Sequence, residues 1–275
     1  MPALRDFPMG RLAVRLLPVI GGAALVVPVA IAIGQGAPEG TPLLPDLDQQ
    51  TPSGLVVTHA GRGARASWRL GFRSAVSNVG NGPLLIEGRR PAGRERTMVA
   101  AQVIRREGAP TEVVPAAGRL RYVRSPDHEH WHLLGFDRYE LRRPGRRRAL
   151  LEDRKSGFCL GDRYAVTGTL PARAPQPVYT SRCGLERPAL LGIREGISVG
   201  YGDDYAANLE GQWLPLDGLP AGRYLLVHRV NADRRLRETS YANNAASVLL
   251  RLRWRGGGPF IDILAECPGS ARCRG

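Results

Sequence analysis

A chain of 275 residues with 43% hydrophobic content, 34 glycines, 22 prolines and few aromatics can bury a full core as one domain and favours short elements between turns over long helices. Its formal charge of +14 comes almost wholly from arginine, a balance that suits nucleic acid, an anionic cell-envelope surface or acidic substrates. The arginines are spread along the chain rather than gathered on one recognition element with stacking aromatics, which argues against nucleic-acid binding.

Arg5, Arg11 and Arg15 precede an uncharged run from Leu16 to Gly34. Ala30-Ile31-Ala32 offers small residues for cleavage, and Pro28 would break a helix just before it. Residues 1–34 therefore read as a signal peptide or an N-terminal anchor, with the remainder outside the cytoplasm. Residues 35–47 form a Gly/Pro linker, and residues 48–275 are expected to fold as one domain. Short strands between turn signals are expected at Ser67 to Val79, Pro83 to Ile86, Thr97 to Ile104, Leu133 to Leu141, and Arg223 to Val230 after Pro220-Ala-Gly. The cleanest alternation sets Val248, Leu250, Leu252 and Trp254 against Leu249, Arg251 and Arg253. No helical period persists for three turns, so the expected fold is all-β, a β-sandwich with long loops.

Three of the five histidines fall within Asp127-His128-Glu129-His130-Trp131-His132. On an extended segment they would share one face, with neighbouring Cα atoms ~6.6 Å apart, close enough for the imidazoles to lean onto one ion. Neutral imidazoles with no nearby thiolate suit copper(II) or zinc better than calcium or magnesium. His59 and His228 read as ordinary strand or loop residues. Four cysteines in an exported chain suggest two disulfides. Of the three pairings, Cys159–Cys183 would staple the loop after the histidines and Cys267–Cys273 would close a small loop in the tail. Lys155 is the one lysine among 39 basic residues. Arginine keeps its proton, whereas a buried lysine can become a neutral nucleophilic amine, so this position reads as chemistry rather than charge.

In order and spacing, Asp127-His-Glu-His-Trp-His, Lys155-Ser-Gly-Phe-Cys-Leu, Gly196-Ile-Ser-Val-Gly-Tyr-Gly-Asp-Asp-Tyr and Gln212-Trp213 resemble the lysyl oxidase family. Glu238-Thr-Ser-Tyr-Ala-Asn-Asn is similar to the segment that closes that family's catalytic domain, and the resemblance runs roughly from Leu43 to Trp254. It implies a copper amine oxidase with His128, His130 and His132 as copper(II) ligands. It further implies a lysine tyrosylquinone cofactor built from Lys155 and Tyr205, with Tyr201 the nearby alternative. Asp203 or Asp204, beside Tyr205, is a candidate general base, and Asp204, the immediate neighbour, is placed in the catalytic set. The implied reaction converts a primary amine or lysine-containing substrate and O₂ to an aldehyde, ammonia and hydrogen peroxide. Gly211 stands where the animal enzymes have a cysteine before Gln-Trp, and several of their other cysteines are absent. Loop geometry and the collagen and elastin substrates of those enzymes are therefore not carried over. Two other classes account for part of the pattern: a non-catalytic copper-binding envelope β-sandwich, and a zinc hydrolase, which gives Lys155 no role.

Overall fold

The structure, a computed structural model, describes residues 40–62, 66–125, 128–152, 157–209 and 211–274, with Ser125 and His128 described in backbone alone. The leader of residues 1–34 and Lys155 lie outside the described residues. The described residues form strands and turns without a helix, and every strand pair is antiparallel. The chain is all-β.

Three sheets surround one main core. The first runs Gly192–Ile197, Leu84–Arg89, Thr97–Arg106, Ala109–Ser125, His128–Leu133, with Pro42–Leu43 also paired to Thr97–Arg106. Pairing thus begins inside the stretch that reads as linker from composition. The second runs Leu151–Glu152, Asp137–Arg142, Gly222–Val230, Ala245–Arg255, Gly258–Cys267. In the third, Tyr164–Ala165, Tyr201–Tyr205, Ser67–Asn78 and Trp213–Pro215 lie in that order, and Leu47–Gln49 and Ser53–Ala60 also pair with Ser67–Asn78.

Period-two patterning explains the layers. Tyr139, Leu141, Tyr224, Leu226, Leu250 and Leu252 of the second sheet enter the main core, where they meet Leu70 and Phe72 of the third sheet and Ile86, Leu120 and Trp131 of the first. Each such side chain removed from water contributes about 1.5–3 kcal/mol before entropy is counted. The opposite face of the second sheet is apolar too, at Leu225, Val227 and Leu249, and these pack against the tail around Cys273. The Cys267–Cys273 disulfide closes that tail, and Cys159–Cys183 is the second bridge, both as expected from the sequence.

Two stretches differ from expectation. The run from Leu133 to Leu141 is split by a turn at 134–136, where Gly135 takes φ 72°, a left-handed conformation that glycine adopts without steric cost. The 17-residue strand Ala109–Ser125 is absent from the sequence reading because Pro115 and Gly118 interrupt its pattern. Its register with Thr97–Arg106 shifts between Ala100 and Gln102, with Ala116 at φ 60°. A bulge there takes up the proline, which has no N–H to give to a ladder.

Candidate functional site

The histidine strand His128–Leu133 is the last of its sheet, with His130 opposite Val123 and His132 opposite Arg121. Trp131 and Leu133 are fully buried in the core. The Arg90 guanidinium sits 4.7 Å over the Trp131 ring, Tyr122 meets that ring edge-on at 5.6 Å, and its Nε1–H donates to the Arg187 carbonyl at 3.2 Å. With that face anchored, alternation turns His130 and His132 to the other side. Their Nε2 atoms face each other at 2.7 Å, with ring centroids 4.7 Å apart, and His132 is buried. Two imidazole nitrogens at right angles on one ion, each ~2.0–2.1 Å from it, would stand ~2.9 Å apart. The two side chains therefore fit a shared ion, and their chemistry suits copper(II) or zinc. His128 opens the same strand, two positions before His130 and opposite Ser125. Among the described residues no cluster of three metal-ligating side chains closes.

The outer edge of this strand is covered by the loops that follow it. Leu133 exchanges backbone hydrogen bonds with Phe158, at 2.8 and 3.1 Å, and the Trp131 N–H donates to the Cys183 carbonyl at 2.9 Å. Gly157 makes the first contact possible: at φ 129° a Cβ there would drive into the Leu133 carbonyl. The Cys159–Cys183 disulfide, with Cα atoms 5.6 Å apart, locks both loops together along the edge of the histidine strand.

Tyr205 is held by the same segment. Its hydroxyl donates to the Cys159 carbonyl and accepts from the Cys159 N–H, both at 2.8 Å, while its ring meets Phe158 edge-on at 4.6 Å. Burial, reinforced by the nearby Asp203, pushes its pKa well above the usual phenol value. The chain thus brings Tyr205, Cys159 and the end of the histidine strand together. Cys159 follows Lys155 by four positions, a span of at most ~14 Å even when fully extended.

The two aspartates beside Tyr205 separate by strand alternation. Asp204 lies on the opposite face from Tyr205, ion-paired to Arg73 at 2.6 Å, and the aspartate on the Tyr205 face is Asp203. Asp203 is buried, accepts the Gly161 N–H at 3.2 Å and faces the Arg163 guanidinium at 3.8 Å. Desolvation raises its pKa to about 8.

The sequence reading missed two carboxyls here. Glu195 is fully buried beside the Leu160 backbone amide, and burial with the neighbouring Asp203 charge pushes its pKa well up. Asp162 accepts from the Val178 N–H, the Tyr179 N–H, the Ser198 N–H and the Ser198 hydroxyl, at 2.7 to 3.0 Å. It ties the disulfide loop to the segment leading into Tyr201–Tyr205. Only Asp162's place in Cys-Leu-Gly-Asp, three residues after Cys159, could have drawn notice.

Asp203 also sets a pH dependence. The folded state keeps a proton that the unfolded chain releases near pH 4, so stability is fully present below that pH and falls as pH rises toward about 8. Asp203→Asn should flatten the decline between pH 5 and 8, which from one such group reaches up to ~1.4 kcal/mol per pH unit. Some slope should survive, because Glu238, raised to about 7 by burial, acts in the same direction. Denaturant titrations of metal-free protein across that range check this, and an unchanged slope in the variant would mean that Asp203 is ionised throughout.

Other motif residues are structural. Glu238 accepts from Leu47 N–H, Asn231 and Asn244 at 2.6–2.7 Å, and Gln212 accepts from the Tyr139 hydroxyl at 3.1 Å. His228 lies in the core, 4.1 Å from the Tyr139 ring centroid, and His59 sits beside Trp68 at 4.6 Å.

A sequence profile of the lysyl oxidase family matches residues 94–256, more than half of the chain, a range that includes His128, His130, His132, Lys155 and Tyr205. The chain belongs to the lysyl oxidase family. It is 26% identical over 151 residues to the protein-lysine 6-oxidases of Rattus norvegicus and Sus scrofa, a match covering 54% of this chain and 33% and 54% of those proteins. It is 27% identical over 118 residues to lysyl oxidase homolog 1 of Homo sapiens, covering 42% of this chain and 18% of that protein. The match therefore spans between about a fifth and about half of these relatives' lengths.

Proposed function

We propose that this chain is a copper-dependent amine oxidase that deaminates primary amines, lysine side chains among them, to aldehydes with release of ammonia and hydrogen peroxide. The observation that carries the reading is the anchoring of the Tyr205 hydroxyl on Cys159, within the segment that pairs with the histidine strand and four residues after the only lysine. His128, His130 and His132 would hold copper(II), and Lys155 and Tyr205 would form the lysine tyrosylquinone. Bound copper would supply the redox partner for oxidation of the tyrosine by O₂, and the quinone would supply the electrophile for an amine.

The protein's own groups have separate tasks. The Cys159 amide and carbonyl fix the Tyr205 ring, and the disulfide holds Cys159 in place. Asp203 can take or return a proton near neutral pH, with Arg163 steadying its charged form. The like charge of Glu195 nearby favours keeping one of the two carboxyls protonated. Two disulfides suit an oxidising location outside the cytoplasm, and the +14 charge suits an anionic envelope surface.

The metal test is direct. The exported protein should hold about one copper per chain, and His130→Ala should lose it while retaining the wild-type melting temperature of the metal-free form. Full copper retention in that variant would remove the ligand assignment.

A further inference from the structure

The outer face of the second sheet carries a cleft of about 590 Å³, within the usual ~300–1,000 Å³ range of small-ligand sites. None of His130, His132 or Tyr205 lines it. Six of its eleven lining residues are arginines: Arg142, Arg146, Arg147, Arg223, Arg272 and Arg274. Over the whole chain only 39 of 275 residues are basic, so the enrichment is local. No acidic residue is among those described as lining it.

The cleft is assembled from separate parts of the chain. Arg142 ends Asp137–Arg142, and Arg146 and Arg147 sit in the turn beyond it. Arg223 comes from Gly222–Val230, and Arg272 and Arg274 flank Cys273 in the disulfide-closed tail. Leu225 and Leu249 contribute apolar wall. Arg142 itself is buried, donates to the Ala271 carbonyl and keeps its Nε without a partner in the described structure. Its nearest carboxylate, Glu140, is shared, at 3.8 Å from Arg142 and 3.4 Å from Arg229. The other five arginines are exposed. Guanidiniums gathered on one concavity repel one another and destabilise the tail that carries two of them, unless an anion lies between them. Their planar N–H forks match phosphate oxygens two at a time.

The geometry points to this cleft as a binding site for a ligand bearing several phosphate groups, separate from the histidine strand. The ligand could reach the site as a free oligophosphate or as the headgroup of a phospholipid that carries more than one phosphate, as cardiolipin does. The shared chemistry is the phosphate cluster, and the Cys267–Cys273 bridge serves to position Arg272 and Arg274 around it.

Titration calorimetry of the full chain with sodium tripolyphosphate tests this, with metal content measured before and after. Expected is saturable binding of about one tripolyphosphate per chain, weakened at least ~tenfold in the triple variant Arg147→Gln, Arg223→Gln, Arg274→Gln. A second triple variant, Arg89→Gln, Arg94→Gln, Arg96→Gln, removes the same charge from exposed positions elsewhere and should bind within ~twofold of wild type. Equal weakening in both variants, or no saturable binding, would overturn the site. Protection against thermal unfolding by tripolyphosphate, present in wild type and absent in the first variant alone, gives a second readout that needs no enzyme activity. Flotation with vesicles containing cardiolipin, which bears two phosphates, then separates the sources. Capture released by tripolyphosphate identifies a lipid headgroup. No capture, or capture equal in both variants, identifies a free oligophosphate.

Discussion

Lys155→Arg is expected to yield a folded protein that binds copper as wild type does, yet produces no hydrogen peroxide from any primary amine. The substitution keeps the charge, nearly keeps the size and uses the residue found at the chain's other basic positions. A lysine serving only as a surface cation would tolerate it within ~0.5 kcal/mol. A lysine that must donate a neutral amine would not, because guanidinium holds its proton to pH ~12 and beyond. The loss should therefore be complete, and stability and copper content should not move. Tyr205→Phe should share that phenotype, since it removes the phenol while leaving the ring against Phe158. An amine-dependent peroxide assay on the three proteins at equal copper loading decides the matter, and wild-type turnover by Lys155→Arg would sink the cofactor assignment.

The largest stability effect should come from Asp162→Ala. One buried carboxylate accepts four hydrogen bonds there, from two backbone amides at 178–179 and from both donors of Ser198. Alanine leaves four donors with no acceptor, three of them in buried hydrogen bonds, and each orphaned buried group costs ~1–3 kcal/mol. Partial relaxation brings the expected total to ~3–5 kcal/mol, or a melting temperature lower by roughly 10 °C in a domain of this size. Ser198→Ala removes a single partner and should cost only ~1 kcal/mol. Thermal unfolding of both variants measures the difference, and equal small losses would show that Asp162 is not the tie between the two loops.

Much of this site was legible in the chain because its residues are rare here or change the local pattern. Histidines at alternate positions on a strand and an even cysteine count can be read without a fold, and the disulfides and the facing of His130 and His132 agree with them. What could not be read is which side of Tyr201–Tyr205 faces inward. Asp203 and Asp204 are adjacent and chemically identical, and only pairing with Ser67–Asn78 turns Asp204 out to Arg73 and Asp203 in. Glu195 was equally hidden: within Gly-Ile-Arg-Glu-Gly it has no periodic signal, yet it is fully buried. The strand Ala109–Ser125, which carries the histidine strand along its length, escaped because a bulge breaks its alternation at Pro115. Gly157 could be read as a turn residue, but its real constraint is the close approach of the Leu133 carbonyl.

The most direct measurement is the mass of peptides from protein that has been loaded with copper and exposed to air. A covalent link between Lys155 and Tyr205 should appear as one joined pair of peptides, and it should be missing from Lys155→Arg and from wild type kept free of copper. Recovery of the Lys155 and Tyr205 peptides separate and unmodified, in full yield from the copper-loaded wild type, would contradict the account.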